Sequence, residues 1–128
     1  MAVLRNLSLA LATAAALTAA AAEAHPRLVS STPGANALAS RPASVQLRFS
    51  ERLVAPMTGA DVVMTGMPGA MQHQPVKMNG FVASMGTDGK TLTLVRKQPL
   101  PAGRYTVSWH AVSVDTHRVA GRFAFAVK

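Results

Sequence analysis

Tyr105-Thr106-Val107-Ser108-Trp109-His110-Ala111 alternates without a break, with Tyr105, Val107, Trp109 and Ala111 on one side and Thr106, Ser108 and His110 on the other. Side chains along an extended chain point to opposite faces in turn, so this pattern predicts a strand with one face buried. Val45-Gln46-Leu47-Arg48-Phe49 and Thr91-Leu92-Thr93-Leu94-Val95 repeat the pattern, and Arg122 to Val127 places Phe123 and Phe125 on one face. Shorter strands are predicted at Ala60 to Met64 and Phe81 to Ser84. Turn signals lie between them at Thr32-Pro33-Gly34, Met67-Pro68-Gly69, Thr87-Asp88-Gly89-Lys90 and Leu100-Pro101-Ala102-Gly103. No stretch reads as a convincing helix. Short strands at this spacing predict an all-β domain, a small Greek-key β-barrel or sandwich. Trp109 is expected in its core. His110, on the opposite face, is expected to point outward and is left out of any site.

The amino-terminal end has a different character. Arg5 precedes a charge-free, Ala- and Leu-rich run from Leu7 to Ala22, and Ala22-Glu23-Ala24 has the form of an A-x-A cleavage site. That is the layout of a secretory signal peptide, and the run is short and weakly apolar for a span of roughly 20 residues. The expectation is a cleaved signal over residues 1–24, a single domain over 25–128, and export to the periplasm. Removing the signal takes away Arg5 and Glu23, one charge of each sign, so the formal net charge of +8 is unchanged. Export argues against nucleic acid as a partner. The basic residues are scattered, as on a solvated surface. There are no cysteines. An exported domain without disulfides is held by packing alone, and any soft metal donor must be methionine.

Cleavage after Ala24 would make His25 the new amino terminus. Its α-amine and imidazole could then hold a metal in one chelate ring. Pro26 has no N–H, so the second backbone nitrogen cannot join. Asp115-Thr116-His117 offers a carboxylate and an imidazole, which in an extended segment point the same way. Nitrogen and oxygen donors of this kind suit Cu(II). Asp115 could instead orient a ligating imidazole through a hydrogen bond. Glu51, just past a predicted strand, is a further oxygen donor, or else a solvated acid paired with Arg52.

A third group is Met64, Met67, Met71, His73 and Met78, set around Gly and Pro. Thioethers are soft and select Cu(I). Methionine is ordinarily a core filler, but these residues are spaced across turn signals and do not read as a strand face. Met57 and Met85 fit core and ligand roles equally.

Together these stretches resemble the periplasmic copper-resistance CopC family. The resemblance runs over essentially the whole of 25–128 and is carried by His25-Pro26-Arg27-Leu28-Val29-Ser30-Ser31-Thr32-Pro33, Phe49-Ser50-Glu51, Val63-Met64-Thr65-Gly66-Met67-Pro68-Gly69 and Trp109-His110-Ala111-Val112-Ser113-Val114-Asp115-Thr116-His117. It implies a cupredoxin-like (Ig-like) β-barrel and a role in copper binding, homeostasis and resistance. It implies a Cu(II) site at His25, Asp115 and His117, with Glu51 as an added donor. It also implies a Cu(I) site at Met64, Met67, Met71, His73 and Met78, at the opposite end of the barrel. The partners it implies are a CopD-like inner-membrane copper transporter or other periplasmic copper proteins, with the chain itself a monomer.

Binding and hand-over of copper, without catalysis, is therefore the expected function. The alternative is a copper enzyme with a histidine brace, like the lytic polysaccharide monooxygenases. One Tyr and one Trp leave little for an aromatic sugar-binding platform. A blue-copper site needs a cysteine thiolate and is excluded. A metal-free adhesion sandwich would leave His25 and the methionines without a purpose.

Overall fold

A computed structural model describes residues 25–67 and 72–128. The expected signal peptide, Met71 and the tip of the methionine stretch lie outside the described residues.

Among the described residues nine strands form in chain order: β1 (Leu28–Thr32), β2 (Leu38–Ala39), β3 (Ser44–Phe49), β4 (Gly59–Gly66), β5 (Gln72–Lys77), β6 (Phe81–Met85), β7 (Thr91–Arg96), β8 (Gly103–Val112) and β9 (Arg118–Val127). A 3-10 turn, Ala55–Met57, lies between β3 and β4. The strands make two separate sheets, ordered β1-β3-β7-β6 and β2-β9-β8-β4-β5. All pairings are antiparallel except β2 with β9. The two sheets do not close on each other, so of the two predicted architectures the sandwich is the one adopted.

Every predicted strand is present. Three others, β1, β2 and β5, carry weaker signals. β5 is polar, contains Pro75 and sits at a sheet edge, the one place where a proline costs no ladder hydrogen bond. β2 is two residues long, and β1 is an edge strand with a mostly exposed pattern.

The alternation of β8 translates directly into burial. Tyr105, Val107, Trp109 and Ala111 are all in the core, together with Val45, Leu47 and Phe49 of β3 and Leu92 and Leu94 of β7. Across the sheets the Phe49 and Trp109 rings meet edge to face with centroids 5.1 Å apart, an arrangement worth about 0.5–1.5 kcal/mol beyond the area it buries. Tyr105 stacks on its cross-strand partner Phe125 at 5.5 Å. Its hydroxyl donates to the Pro101 carbonyl at 2.6 Å, so the polar end of a buried ring is satisfied, in the manner of the tyrosine corner of immunoglobulin-like sandwiches. Burial pushes the Tyr105 phenol above its ordinary range.

Trp109 has room because its partner across β9 is Gly121. A Cβ there would fall 2.5 Å from Trp109 Cζ2, closer than any van der Waals contact. Gly121→Val is therefore expected to displace the indole and to cost about 1–3 kcal/mol, as overpacking does. Urea unfolding followed by the emission of the single tryptophan tests this; an unchanged midpoint and spectrum would contradict it.

Candidate metal centre

β8 is bonded to β9 on one side and to β4 on the other along most of its length. At its end the chain must turn back into β9, and residues 113–117 make that turn. The isolated bridge of Leu53 to Ser113, with Val54 N–H donating to Val112 O at 2.8 Å and Val114 N–H to Arg52 O at 3.0 Å, ties the turn to the segment after β3. Within it Thr116 N–H donates to Ser113 O at 2.8 Å and Ser113 N–H to His117 O at 2.9 Å.

Thr116 has φ +74°, a left-handed conformation that β-branched residues rarely adopt. The structure thus departs from the extended D-x-H segment that the sequence suggests. Asp115 and His117 share a side because the chain reverses between them. Asp115 Oδ1 lies 3.1 Å from His117 Nδ1.

Ser113 holds this pair in place. It is buried, and its hydroxyl donates a short hydrogen bond to Asp115 Oδ1. The His117 amide approaches the same oxygen at 3.4 Å. The Ser113 hydroxyl first, and then the adjacent His117 ring and amide, hold the Asp115 carboxyl below its ordinary value. His117 Nδ1 is itself buried and has no hydrogen-bond partner. Its contact with Asp115 is close enough for an ion pair but misaligned for a hydrogen bond, and the misalignment is the more informative fact. A buried, unpartnered nitrogen beside an ionised carboxylate is a donor pair that a cation would satisfy.

The amino-terminal segment is brought to the same place. Pro26 is fully buried. Arg27 N–H donates to Ser50 Oγ at 2.9 Å, and Ser50 N–H returns a bond to Arg27 O at 2.9 Å. These bonds bring the exposed His25 alongside the fold. Its ring meets the His117 ring edge to face, centroids 4.5 Å apart and planes at 78°. Glu51 is half-buried and stands between Ser50, which anchors the first segment, and Arg52, which anchors the turn. Among the described residues no three of His, Cys, Asp and Glu form a ready-made metal cage. His25 meets His117 and His117 meets Asp115, and cleavage before His25 would add an α-amine at the same place.

The methionines are distributed differently. Met64 faces inward from β4 and is part of the core, so it does lie on a strand face. Met67, just past β4, is 51% exposed. Met78 is half-buried against the core, and its N–H donates to Val62 O at 2.8 Å. His73 lies in β5. Met64 pairs with Tyr105 near the start of β8, and eight residues of extended chain separate Tyr105 from Ser113, roughly 26 Å. The methionine stretch and the histidine pair therefore sit toward opposite ends of β8.

Comparison with known proteins decides the family. The model of the CopC domain matches residues 28–128. The chain belongs to the CopC family. It is 47% identical over 112 residues to Copper resistance protein C of Pseudomonas syringae pv. tomato, covering 88% of this chain and 87% of that one. It is 45% identical over 107 residues to Copper resistance protein C of Escherichia coli, covering 84% of each. Among solved structures it resembles PcoC, a methionine-rich copper resistance protein from Escherichia coli, with TM-score 0.74 and 42% identity over 82% of this chain and 100% of that one. The fold is also that of CopC from Methylosinus trichosporium OB3b, with TM-score 0.63 at 24% identity, covering 81% of this chain and 94% of that one. The CopC match and these relatives give the chain a copper-related role.

Within this CopC domain, Ser113 and Ser50 are the site-building residues that the sequence did not single out. The signal for Ser113 was present in the i, i+2, i+4 spacing of Ser113, Asp115 and His117. Ser50 is joined to Arg27 only through the fold. Ser113→Ala removes the main donor to Asp115. It is expected to raise the Asp115 pKa toward the ordinary carboxylate value and to weaken metal binding about tenfold, as loss of a ligand-orienting partner does. Carboxyl titration by NMR and a competitive metal titration measure the two effects, and unchanged values in both would exclude the role given to Ser113.

Proposed function

We propose that this CopC-family chain is an exported copper carrier that holds Cu(II) at His25, Asp115 and His117 and passes it to partners. The observation that carries the reading is the approach of the His25 ring to the His117 ring at the residue where signal cleavage would create the amino terminus. Copper is the cargo. Two imidazoles, a free α-amine and a carboxylate kept ionised by Ser113 form a nitrogen and oxygen set suited to Cu(II), and Glu51 is a further oxygen donor. Pro26 limits the terminal chelate to the amine and ring of His25.

The thioethers give the same carrier a means of holding Cu(I). Met67, Met71, His73 and Met78 are the candidates for this. Met64 would join them only if the end of the β4–β5 hairpin opened, because its side chain is packed in the core. The chain acts as a monomer in the periplasm, with a CopD-like inner-membrane transporter or other periplasmic copper proteins as recipients, and it performs no catalysis. The copper-resistance names of its relatives support this reading.

Two outcomes are expected. A form that retains Ala24 has no free amine at His25, and its Cu(II) affinity should fall steeply with a changed electron paramagnetic resonance spectrum, relative to the form that begins at His25. Equal binding by both forms would move the site away from the terminus. The second outcome concerns pH. Imidazoles and the α-amine must shed protons to bind metal, and free ones do so between about pH 5 and 8. Asp115 has a lowered pKa, so its contribution is present above the ordinary carboxylate value and lost only as pH falls through its lowered folded value. Cu(II) affinity should thus weaken from pH 8 to pH 5 while Asp115 stays charged. A flat affinity over that interval, read by competition titration, would argue against the nitrogen ligands.

A further inference from the structure

We propose that Met57 and His110 form a further soft copper site, separate from the methionine stretch, on the outer face of the larger sheet, taking Cu(I) near the His25–His117 centre. This rests on the carrier reading only in taking copper as the cargo. Both side chains line one open groove of about 500 Å³. Met57 ends the 3-10 turn between β3 and β4 and is 42% exposed, so its thioether is not spent on filling the core. His110 points outward from β8. Among the described residues its ring has no hydrogen bond or ion pair. The imidazole lies over Gly59, its strand partner on β4: a Cβ on Gly59 would stand 3.1 Å from His110 Cε1 and 3.4 Å from Nε2. Glycine at that position leaves space for the ring over β4, and Gly59 follows Met57 by two residues in the chain. The groove thus presents one imidazole and one thioether to solvent.

The chemistry selects the oxidation state. A nitrogen and a sulfur donor, with no carboxylate lining the groove, suit Cu(I). Arg118 also lines the groove. Its positive charge opposes any cation, and the repulsion scales with the charge of the ion, so it disfavours Cu(II) about twice as strongly as Cu(I). The remaining lining residues, Ala111, Val112, Val119 and Ala120, add no side-chain donor. A two-donor site with open positions holds its ion loosely, as a place of exchange requires. Its position suits exchange as well. His110 is three residues before Ser113 on β8, roughly 10 Å at strand rise, and Ser113 N–H is bonded to His117 O. Copper delivered to the groove would lie a short step from the histidine pair.

The test is an NMR titration of the protein with Ag(I), a redox-inert counterpart of Cu(I). The Met57 methyl and the His110 ring resonances are expected to shift together and saturate, and Met57→Leu should abolish the His110 shift. The site is overturned if both resonances stay fixed while Met67 responds, or if Met57→Leu leaves the His110 shift intact. A Cu(II) titration of the same sample, followed by electron paramagnetic resonance, reads the His25–His117 centre separately. Cu(II) binding there with no response of His110 to Ag(I) overturns the groove site alone, whereas absence of binding by either ion overturns both readings.

Discussion

The hydrogen-bonded pairing of β8 with β9 and β4 is the constraint on which the rest depends. β8 is a long inner strand at the centre of the larger sheet, with ladders on both sides. Its inward residues fill the core, and Trp109 reaches across to Phe49 of the other sheet. A strand held in this way cannot shift register without turning Tyr105, Val107 and Trp109 out of the core. The turn that follows it therefore starts from a fixed point. Ser113, Asp115 and His117 inherit that fixity, which lets a strained Thr116 persist in a short loop.

The second sheet supplies the other half of the centre. β3 delivers Ser50 at its end, and Ser50 fastens Arg27 and so places His25. The centre thus joins the two layers of the sandwich at one end. Its electrostatics run against the chain as a whole. The sequence carries a formal charge of +8, which repels cations at long range, although salt screens charges beyond about 10 Å. Close to the centre stands the ionised Asp115, whose carboxyl the Ser113 hydroxyl and His117 hold below its ordinary value. A local carboxylate thus gives this end of a basic protein a negative point of its own.

Much of the fold was legible in the sequence because a sandwich writes its burial as alternation. The strands around Val45, Thr91, Tyr105 and Phe125 announced themselves in this way. β1 and β5 did not, since edge strands bury little and need no regular apolar face. The donors were legible by type: His25 beside a cleavage signal, Asp115 and His117 in D-x-H spacing. The methionines show the limit of reading by spacing. Met64 looked like part of a loop cluster, yet β4 extends through it to Gly66 and turns its side chain into the core. Met57, equally balanced between core and ligand in the sequence, is exposed because the 3-10 turn that carries it lies outside the sheets.

The sequence by itself determined the all-β class, the core faces, the absence of thiolate chemistry and the identity of the available donors. These follow from local periodicity and residue chemistry, which each stretch carries within itself. Only the tertiary structure decided that the chain makes two open sheets, that Gly121 clears space for Trp109, and that Ser113 governs Asp115. It alone brought His25 from one end of the chain to His117 near the other. That meeting rests on strand register and on the Arg27–Ser50 bonds, contacts between distant residues that no local pattern encodes.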